Sequence, residues 1–425
     1  MLNLHNKTIK LPELNKSKHH QSVMINLEQF TKQHVISRDE SMFLPDIIDN
    51  AAALSKEIKG RSVLVIGGAG SIGQSFIKAV LRFEPAELYV VDLNENGLAE
   101  LTRDLRSTDG LKVPDVFLTY TLDFADPVFE QILREHGRFD IVANFSAHKH
   151  VRSEKDRFSV EALLRNNVIK ARGLLELLSE FRPDHYFCVS TDKAANPVNV
   201  MGASKRIMED LIMAYSDRFK VTTARFANVA FSNGSLPLSF VERMMKRQPL
   251  VAPRDVRRYF VSLEESGQIC MLACLLGHNG EVFYPKLGQE SMKTFSSICD
   301  DFLAATGHRP LLCRDDNEAK ARAAAMRDTD VDYPVVYFDS DTTGEKDVEE
   351  FTVESETTDT DRFKSLGVVT SSTRRPKADV SALIDRLDSI FTRHDFTKAE
   401  VVDCLRDYLP NFHHEELGRN LDQKM

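Results

Sequence analysis

The stretch from Tyr186 to Lys205, YFCVSTDKAANPVNVMGASK, places ionisable side chains directly after a short apolar segment. Its first five residues predict a buried strand, and a polar turn that contains Asp192 and Lys193 follows. Both side chains can exchange protons, and they would lie at the carboxyl end of the strand, where open α/β sheets bind their ligands. Taken alone, the pair is better explained as a solvated loop, because charged loop residues usually face water. The rest of the chain must decide.

A helix is predicted to follow this turn, after a loop that contains Pro197. Met201 and Lys205 are four residues apart in it, so their side chains share one helix face. A thioether cannot transfer a proton, so acid–base chemistry beside this helix would fall to other groups.

A glycine-rich turn earlier in the chain has the pattern of a dinucleotide-binding loop. Residues 62–83, SVLVIGGAGSIGQSFIKAVLRF, predict a strand, a turn with Gly67, Gly70 and Gly73, and a helix. The first glycine permits the tight turn, the second lets the backbone approach a pyrophosphate, and the third lets helix and strand pack closely. The next predicted strand ends in Asp92, whose carboxylate would accept a ribose 2′-hydroxyl and repel a 2′-phosphate. The pattern therefore favours NAD over NADP.

Strands and helices alternate through the chain, which is typical of parallel βαβ units. The predicted strands are 116–122, 140–146, 186–190, 221–226, 281–287 and 335–338, and the longer predicted helices are 45–59, 158–182 and 295–328. We therefore expect an α/β fold with a doubly wound parallel sheet and a smaller C-terminal substrate-binding region. The expected divisions are a lead-in and helix (1–55), an NAD-binding domain that carries the catalytic turn (56–235), and a mainly substrate-binding region (236–425), from which some segments return to the sheet.

Composition excludes several classes of protein. The net charge of −9 argues against a nucleic-acid partner, because there is no basic excess to neutralise phosphates. The six cysteines form no CxxC pair, which indicates reduced thiols in a cytoplasmic protein. No apolar run is long enough for a transmembrane helix, and we expect a soluble protein. His148 and His150 lack a nearby third ligand, so we expect no metal site.

These motifs resemble the extended short-chain dehydrogenase/reductase family, and more closely the 4,6-dehydratases that act on UDP-N-acetylglucosamine. The motifs are GGAGSIG at 67–73, SAHKHV at 146–151, STDKAANPVNVMGASK at 190–205, ARFANVAFSNGS at 224–235, RRYFVS at 257–262 and GEK at 344–346. Most extended short-chain enzymes have tyrosine where this chain has Met201, and methionine appears in one branch of these dehydratases. The C-terminal ending resembles members of the legionaminic-acid and bacillosamine pathways.

The resemblance implies an internal redox elimination of water. NAD takes hydride from sugar C4, a base removes the C5 proton, an acid protonates the departing C6 hydroxyl, and hydride returns to C6. By resemblance, Asp192 is the acid, Lys193 is the base at C5, and Thr191 holds or deprotonates the C4 oxygen. Lys205 would hold the nicotinamide ribose, and Met201 would pack beside the sugar or the ring.

The resemblance also assigns binding residues. The expected cofactor-binding residues are Gly67, Gly70, Ser71, Ile72, Gly73, Asp92, Asp123, Ser146, Ala147 and Lys205, with Asp123 a candidate partner of the adenine. The expected substrate-binding residues for a UDP-N-acetylhexosamine are Lys149 and Asn228 at the sugar, Arg258 at the pyrophosphate and Glu345 at the uridine ribose. The resemblance also implies a homo-oligomer of undetermined subunit number.

Two alternatives remain. A UDP-sugar 4-epimerase shares the fold and the first hydride transfer but needs no acid at C6. A non-catalytic NAD-binding regulator is the second, motivated by Met201. The sequence does not decide between retention and inversion at C5, although the methionine branch favours retention.

Overall fold

The fold consists of a large central sheet, flanking helices and a second, smaller sheet. A computed structural model describes residues 25–150, 154–340, 350–371 and 375–416 of the chain. The strands are β1 Ser62–Ile66, β2 Glu87–Asp92, β3 Val116–Thr121, β4 Ile141–Asn144, β5 His185–Val189, β6 Val221–Ala224, β7 Asn228–Val229, β8 Leu250–Pro253, β9 Arg257–Arg258, β10 Phe260–Val261, β11 Glu281–Pro285, β12 Lys293–Thr294, β13 Arg309–Leu312, β14 Asp332–Phe338, β15 Thr357–Asp359 and β16 Leu366–Ser371. The α-helices are α1 Leu27–Phe30, α2 Leu44–Asp49, α3 Ala51–Ile58, α4 Ser71–Leu81, α5 Glu95–Ser107, α6 Pro127–His136, α7 Arg157–Leu164, α8 Lys170–Glu180, α9 Val200–Met213, α10 Leu236–Met245, α11 Leu263–Leu276, α12 Phe295–Ala305, α13 Asp316–Ala325, α14 Lys377–Thr392 and α15 Lys398–Tyr408.

Seven strands of the central sheet run parallel, in the order β3-β2-β1-β4-β5-β6-β11. Two antiparallel strands, β16 and then β15, extend the sheet beyond β11. The strand order reverses between β1 and β4, which is the topological switch point of a doubly wound sheet. The predicted α/β fold is therefore confirmed.

Helices cover both faces of the sheet. Along β1, Val63 and Val65 are buried in a cluster with α4, α5 and α11, whereas Leu64 and Ile66 are buried in a cluster with α7, α8 and α9. Successive strand residues face opposite sides, so a strand covered on both sides is mainly apolar, with the buried Thr222 and Thr223 of β6 as polar exceptions. Polar groups of the inner strands that meet a ligand must therefore follow the strand ends.

The C-terminal half contributes strands to four sheets. Two of them are two-stranded, β7 with β10 and β9 with β12. Strands β11, β15 and β16 complete the central sheet, while β13, β14 and β8 form a separate three-stranded parallel sheet. Helices α10 and α12 pack on this smaller sheet through Phe240, Ile298 and Phe302. The division of the chain at residue 235 remains a prediction.

Three predicted helices differ from the structure. The helix predicted over 158–182 contains a π-helical turn, Arg165–Ile169, between α7 and α8. The helix predicted over 45–59 is divided at Asn50 into α2 and α3. The helical prediction over 295–328 was wrong at Arg309–Leu312, which is strand β13. Its pairing with β14 is a tertiary contact that a four-residue segment does not reveal.

A buried ion pair fixes the N-terminal segment to helix α11. Nε and Nη2 of Arg38 each donate to the carboxylate of Glu265 at 2.7 Å, and the Glu265 side chain has no exposed surface. Glu265 also accepts the backbone N–H of Ser262 in the capping box that begins α11. Removal of Arg38 would leave this carboxylate buried without its cation.

We predict that Arg38→Ala lowers the free energy of unfolding by about 3–5 kcal/mol, because a buried charge loses its partner. Denaturant titration followed by circular dichroism measures the change. Arg254→Ala is the matched control, since it removes an equally well-aligned arginine–aspartate pair, with Asp339, that is solvent-exposed. Equal losses in the two variants would contradict the prediction.

Candidate active site

The glycine turn after β1 lies so close to neighbouring backbone atoms that two of its positions have no room for a side chain. Gly67 has φ of +75°, and a Cβ there would lie 2.6 Å from the amide nitrogen of Ser146. A Cβ on Gly73 would lie 2.5 Å from the carbonyl oxygen of Gly67. The turn is therefore packed against the end of β4 on one side and the first turn of α4 on the other.

Helix α4 begins at this turn without a side-chain cap. Its N-cap residue is Gly70, in extended conformation, and no side chain accepts a hydrogen bond from the first turn. Free N–H groups and the positive end of the helix dipole make such a terminus suitable for a phosphate. A cavity of about 220 Å³ opens at this point. Its lining includes Gly67, Gly70, Ser71, Ile72, Gly73, Asp92, Asp123, Ser146, Ala147 and Lys149.

The two candidate aspartates at the cavity have different surroundings. Asp92 ends β2, and its Oδ2 accepts the N–H of Ala69 in the glycine turn at 2.9 Å. Asp123 follows β3 and pairs with Lys170 at the start of α8. Asp92 is thus tied to the glycine turn itself, whereas Asp123 is tied to helix α8.

The loop after β4 is held by an asparagine of the π-helical turn. Oδ1 of Asn167 accepts the N–H of His148 at 2.9 Å, and its Nδ2 donates to the His148 carbonyl at 2.9 Å. The same Nδ2 donates to Oγ of Ser204 in α9 at 3.0 Å. Asn167 therefore joins the cofactor side of the site to the helix that carries Met201 and Lys205.

A second loop closes over the glycine turn. The N–H of Asn233 donates to Oγ of Ser71 at 2.8 Å, and Nζ of Lys149 donates to the Asn233 carbonyl at 3.1 Å. Phe231 and Gly234 in this loop have positive φ values of 53° and 75°. The loop belongs to the segment 224–235, one of the motifs that carry the family resemblance.

The Thr191–Lys193 turn follows β5 and centres on the buried carboxylate of Asp192. Its Oδ1 accepts from Oγ1 of Thr191 at 2.7 Å, from the N–H of Lys193 at 2.9 Å and from Nζ of Lys193 at 3.1 Å. Asp192 is 3% exposed. Thr191 and Lys193 therefore both donate hydrogen bonds to the same oxygen of Asp192.

Met201 and Lys205 lie on α9, next to this turn. Met201 is buried in the hydrophobic cluster between the sheet and α9. Nζ of Lys205 donates to the Val189 carbonyl at 3.1 Å, and burial lowers the pKa of this lysine. Lys205 therefore contacts the last residue of β5, two residues before Thr191.

Glu154 is a buried carboxylate that the sequence analysis did not identify. Its two oxygens accept the N–H groups of Val200 and Met201, at 3.0 and 2.9 Å, in the first turn of α9. Its own carbonyl accepts from Nζ of Lys398, which also pairs with Glu416. Burial raises the pKa of Glu154 to about 7, against the opposing effects of these two amides and Lys398. No motif marks Glu154, since only the folded chain brings it to α9.

The remaining predicted residues are distributed as follows. Asn228, in β7, is half-buried, and Arg258, in β9, is buried, with Nη1 donating to the Arg257 carbonyl at 2.9 Å. Glu345 lies outside the described residues. The cavity brings together nine of the ten predicted cofactor residues, whereas its lining does not include Lys205 or the Thr191–Lys193 turn.

The described residues contain neither a metal-binding group of side chains nor a membrane-spanning helix. Among residues 25–150, 154–340, 350–371 and 375–416, no three His, Cys, Asp or Glu side chains are grouped closely enough to bind a metal. Within the same ranges, every helix is too short or too polar to cross a lipid bilayer.

We predict that Gly73→Ala weakens NAD binding at least about tenfold, because the added methyl group displaces the turn from the helix N-terminus. Titration of the purified protein with NAD measures the dissociation constant. Gly173→Ala in α8 is the matched control, since a Cβ there meets no atom within 4 Å. Equal affinity of the two variants for NAD would refute the assignment.

We predict a pH-dependent difference in stability between the wild-type protein and Glu154→Gln. The folded protein holds the Glu154 proton more tightly than the unfolded chain, where the pKa is near 4.5. This contribution to stability is complete below that value and is lost as the pH rises through about 7. Between pH 5 and pH 8 the wild type should lose about 3 kcal/mol relative to the variant. Denaturant titrations across this range measure the difference, and parallel curves would contradict it.

The comparison with solved structures agrees with the fold described above. The structure of Pen from Bacillus thuringiensis matches with a TM-score of 0.60 at 19% identity, over 75% of this chain and 90% of that one. At this identity the likeness concerns the fold alone.

Curated relatives have several names. A protein of Methanocaldococcus jannaschii named as an uncharacterized membrane protein is 31% identical over 265 residues, which are 60% of this chain and 76% of that protein. A UDP-N-acetylglucosamine 4,6-dehydratase (inverting) of Campylobacter jejuni is 26% identical over 238 residues, 54% of this chain and 67% of that protein. A UDP-glucose 4-epimerase of Rickettsia bellii is 25% identical over 236 residues, 53% of this chain and 66% of that protein.

The chain spans only 43% and 40% of the length of two further relatives, polysaccharide biosynthesis proteins of Staphylococcus aureus and Bacillus subtilis. The profile of one family matches residues 63–369, which include the glycine turn, the Thr191–Lys193 turn and α9. This match covers most of the chain. The protein therefore belongs to the family of polysaccharide biosynthesis proteins.

Proposed function

We propose that this protein is an NAD-dependent 4,6-dehydratase of UDP-N-acetylglucosamine, which forms a UDP-2-acetamido-2,6-dideoxy-4-hexulose for bacterial surface sugars. The observation that carries the proposal is the turn after β5, where Thr191 and Lys193 both contact Asp192. An elimination needs an acid and a base at neighbouring carbon atoms. The adjacent side chains of Asp192 and Lys193 would provide that pair.

The residues at the cavity fit NAD. The first turn of α4 offers N–H groups to the pyrophosphate, and the absence of side chains at Gly67 and Gly73 lets the turn pack closely against β4 and α4. Asp92 lies at the cavity wall, where a ribose hydroxyl would be received. When bound, NAD supplies hydride acceptance from sugar C4 and hydride return to C6.

The turn residues have separate roles in the proposed reaction. Thr191 orients the C4 hydroxyl, and its existing hydrogen bond to Asp192 gives that proton a path. Lys193 removes the C5 proton, which the C4 ketone has made acidic. Asp192 delivers a proton to the departing C6 oxygen, so that water leaves and charge is balanced.

Met201 requires this division of roles. It occupies the position of a phenol in most related enzymes, and it is buried among apolar side chains. Because the thioether of Met201 cannot transfer protons, we assign the acid and the base beside α9 to the Thr191–Lys193 turn. Lys205 keeps its proposed role at the nicotinamide ribose.

The substrate would lie across the second loop and the C-terminal half. Lys149 and Asn228 are proposed at the sugar, Arg258 at the pyrophosphate and Glu345, outside the described residues, at the uridine ribose. The contact of Asn233 with both Ser71 and Lys149 places the second loop beside the phosphate-binding turn. We further propose that the protein forms a homo-oligomer. We also propose that it is located in the cytoplasm, which agrees with its six buried cysteines that form no disulfide.

The second candidate function is a UDP-sugar 4-epimerase, which the 25% identical relative supports. Epimerisation requires the same oxidation at C4 and return of hydride to the opposite face of C4. It gives no role to an acid at C6. The buried contact of Asp192 with Lys193 therefore favours elimination.

We predict that the wild-type protein, incubated with NAD and UDP-N-acetylglucosamine in D₂O, forms a 4-keto-6-deoxy product with deuterium at C5. Nuclear magnetic resonance of the product reports the activity, the exchange and the C5 configuration together. A UDP-N-acetylgalactosamine product without loss of water would show an epimerase instead.

The variant Asp192→Asn should reduce turnover at least about a hundredfold, because the acid is lost while the turn keeps its shape. Its affinity for NAD should remain at the wild-type level. Asp126→Asn is the matched control, because this aspartate only caps α6 and asparagine caps equally well. Normal turnover by Asp192→Asn would reject the assignment of the acid.

A further inference from the structure

Behind the Thr191–Lys193 turn, the protein buries a group of charges that no role described so far uses. We define the Glu209 network as the side chains of Arg206, Glu209, Arg225 and Glu356. Arg225 is the largest fully buried side chain of the described residues, with no exposed surface. The carboxylates of Glu209 and Glu356 are 3% and 2% exposed.

Arg225 binds two carboxylates at once. Its Nε and Nη2 donate to the two oxygens of Glu209 at 2.8 and 2.6 Å, and its Nη1 and Nη2 donate to the two oxygens of Glu356 at 2.8 and 2.7 Å. Nη1 also donates to the carbonyl of Phe351 at 3.0 Å. A planar guanidinium bound in this way fixes the relative orientation of its partners. Arg225 therefore locks the segment 351–356 to helix α9.

Glu209 extends the same network to the catalytic turn. Its Oε1 accepts from Oγ of Ser190 at 2.6 Å, and Ser190 is the residue directly before Thr191. Glu209 also lies one helical turn after Lys205, on the same face of α9. Although burial acts in the opposite direction, Arg225 lowers the pKa of Glu209 and keeps its carboxylate charged.

Stability alone does not account for this arrangement. Buried ion pairs are often matched in stability by apolar side chains, and their best-attested role is to select one arrangement of the chain. Three segments meet at Glu209: the end of β5, the end of β6 and the segment that precedes β15. The first leads into Thr191, and the second leads into Asn228.

We propose that Glu209 is a positioning residue for the catalytic turn, and that it acts through Ser190 under the orientation imposed by Arg225. This inference rests on the proposed function for its kinetic consequence. Its structural consequence does not depend on the reaction. Loss of the Ser190–Glu209 contact should release the 190–193 backbone while NAD binding at α4 continues.

Asp210 provides a matched control on the same helix. It is buried, pairs with Arg206 at 3.5 Å and accepts from the Tyr408 hydroxyl at 3.1 Å, but it faces α15 and not the catalytic turn. Asp210→Asn and Glu209→Gln therefore both remove a buried charge from α9. Only the second change touches Ser190.

The experiment compares the wild type with Ser190→Ala, Glu209→Gln, the double variant and Asp210→Asn. With NAD and UDP-N-acetylglucosamine, Glu209→Gln should lower kcat about tenfold or more with KM changed less than about threefold. Ser190→Ala should lower kcat in the same direction, and the double variant should resemble Glu209→Gln because the two changes break one contact. Asp210→Asn should keep kcat within about twofold, even where its melting temperature falls.

Hydrogen exchange of the backbone amides at residues 190–195 gives a measure that needs no turnover. Exchange should be faster in Ser190→Ala and Glu209→Gln than in the wild type, and unchanged in Asp210→Asn. If Glu209→Gln fails to fold, Ser190→Ala decides by itself. Unchanged exchange in Ser190→Ala, or equal losses of kcat in Glu209→Gln and Asp210→Asn, would overturn the proposal. If the wild type forms no keto sugar but the variants still differ from it in exchange as expected, the proposed function is rejected and the positioning role is retained.

Discussion

Burial of the central strands on both faces is the constraint on which the rest of the structure depends. Because helices cover both sides of the sheet, strands such as β1 and β5 carry apolar residues at every internal position. Chemistry is therefore confined to the residues that follow the strands. The glycine turn after β1, Asp92 at the end of β2, the loop after β4 and the Thr191–Lys193 turn after β5 lie along one edge of the sheet for this reason.

Backbone proximity at this edge determines what can bind there. The glycine turn lies so close to the end of β4 and to its own helix that a methyl group at Gly67 or Gly73 would meet backbone atoms. The same closeness leaves the first turn of α4 open to an anion. Other elements also reach this edge: the side chain of Asn167 holds the loop after β4, and the backbone of Asn233 contacts Ser71 and Lys149.

Helix α9 is the element on which buried charge is concentrated. Glu154 binds the first-turn amides of α9, and Glu209 and Asp210 lie on its later turns. These charges lie on or against the helix that carries Met201 and Lys205 beside the proposed active site. Glu209 is compensated by Arg225, and Asp210 by Arg206 and the Tyr408 hydroxyl. Helix α9 is thus held in one position by contacts with several other segments. Such compensation agrees with a reaction that requires a fixed distance between an acid and a base.

The sequence by itself determined the sheet, the glycine turn and the turn after β5, because periodicity, glycine spacing and strand-end polarity are local properties. Nine of the ten residues that it predicts for the cofactor line one cavity, and their role remains a prediction. Tertiary structure decided the rest. Arg225 joins Glu209 and Glu356, which lie 16 and 131 positions from it, and Glu154 contacts α9 46 positions away. Strand β13 forms by pairing with β14. Such contacts depend on which surfaces meet after the sheet has formed, and no local pattern of residue types records that outcome.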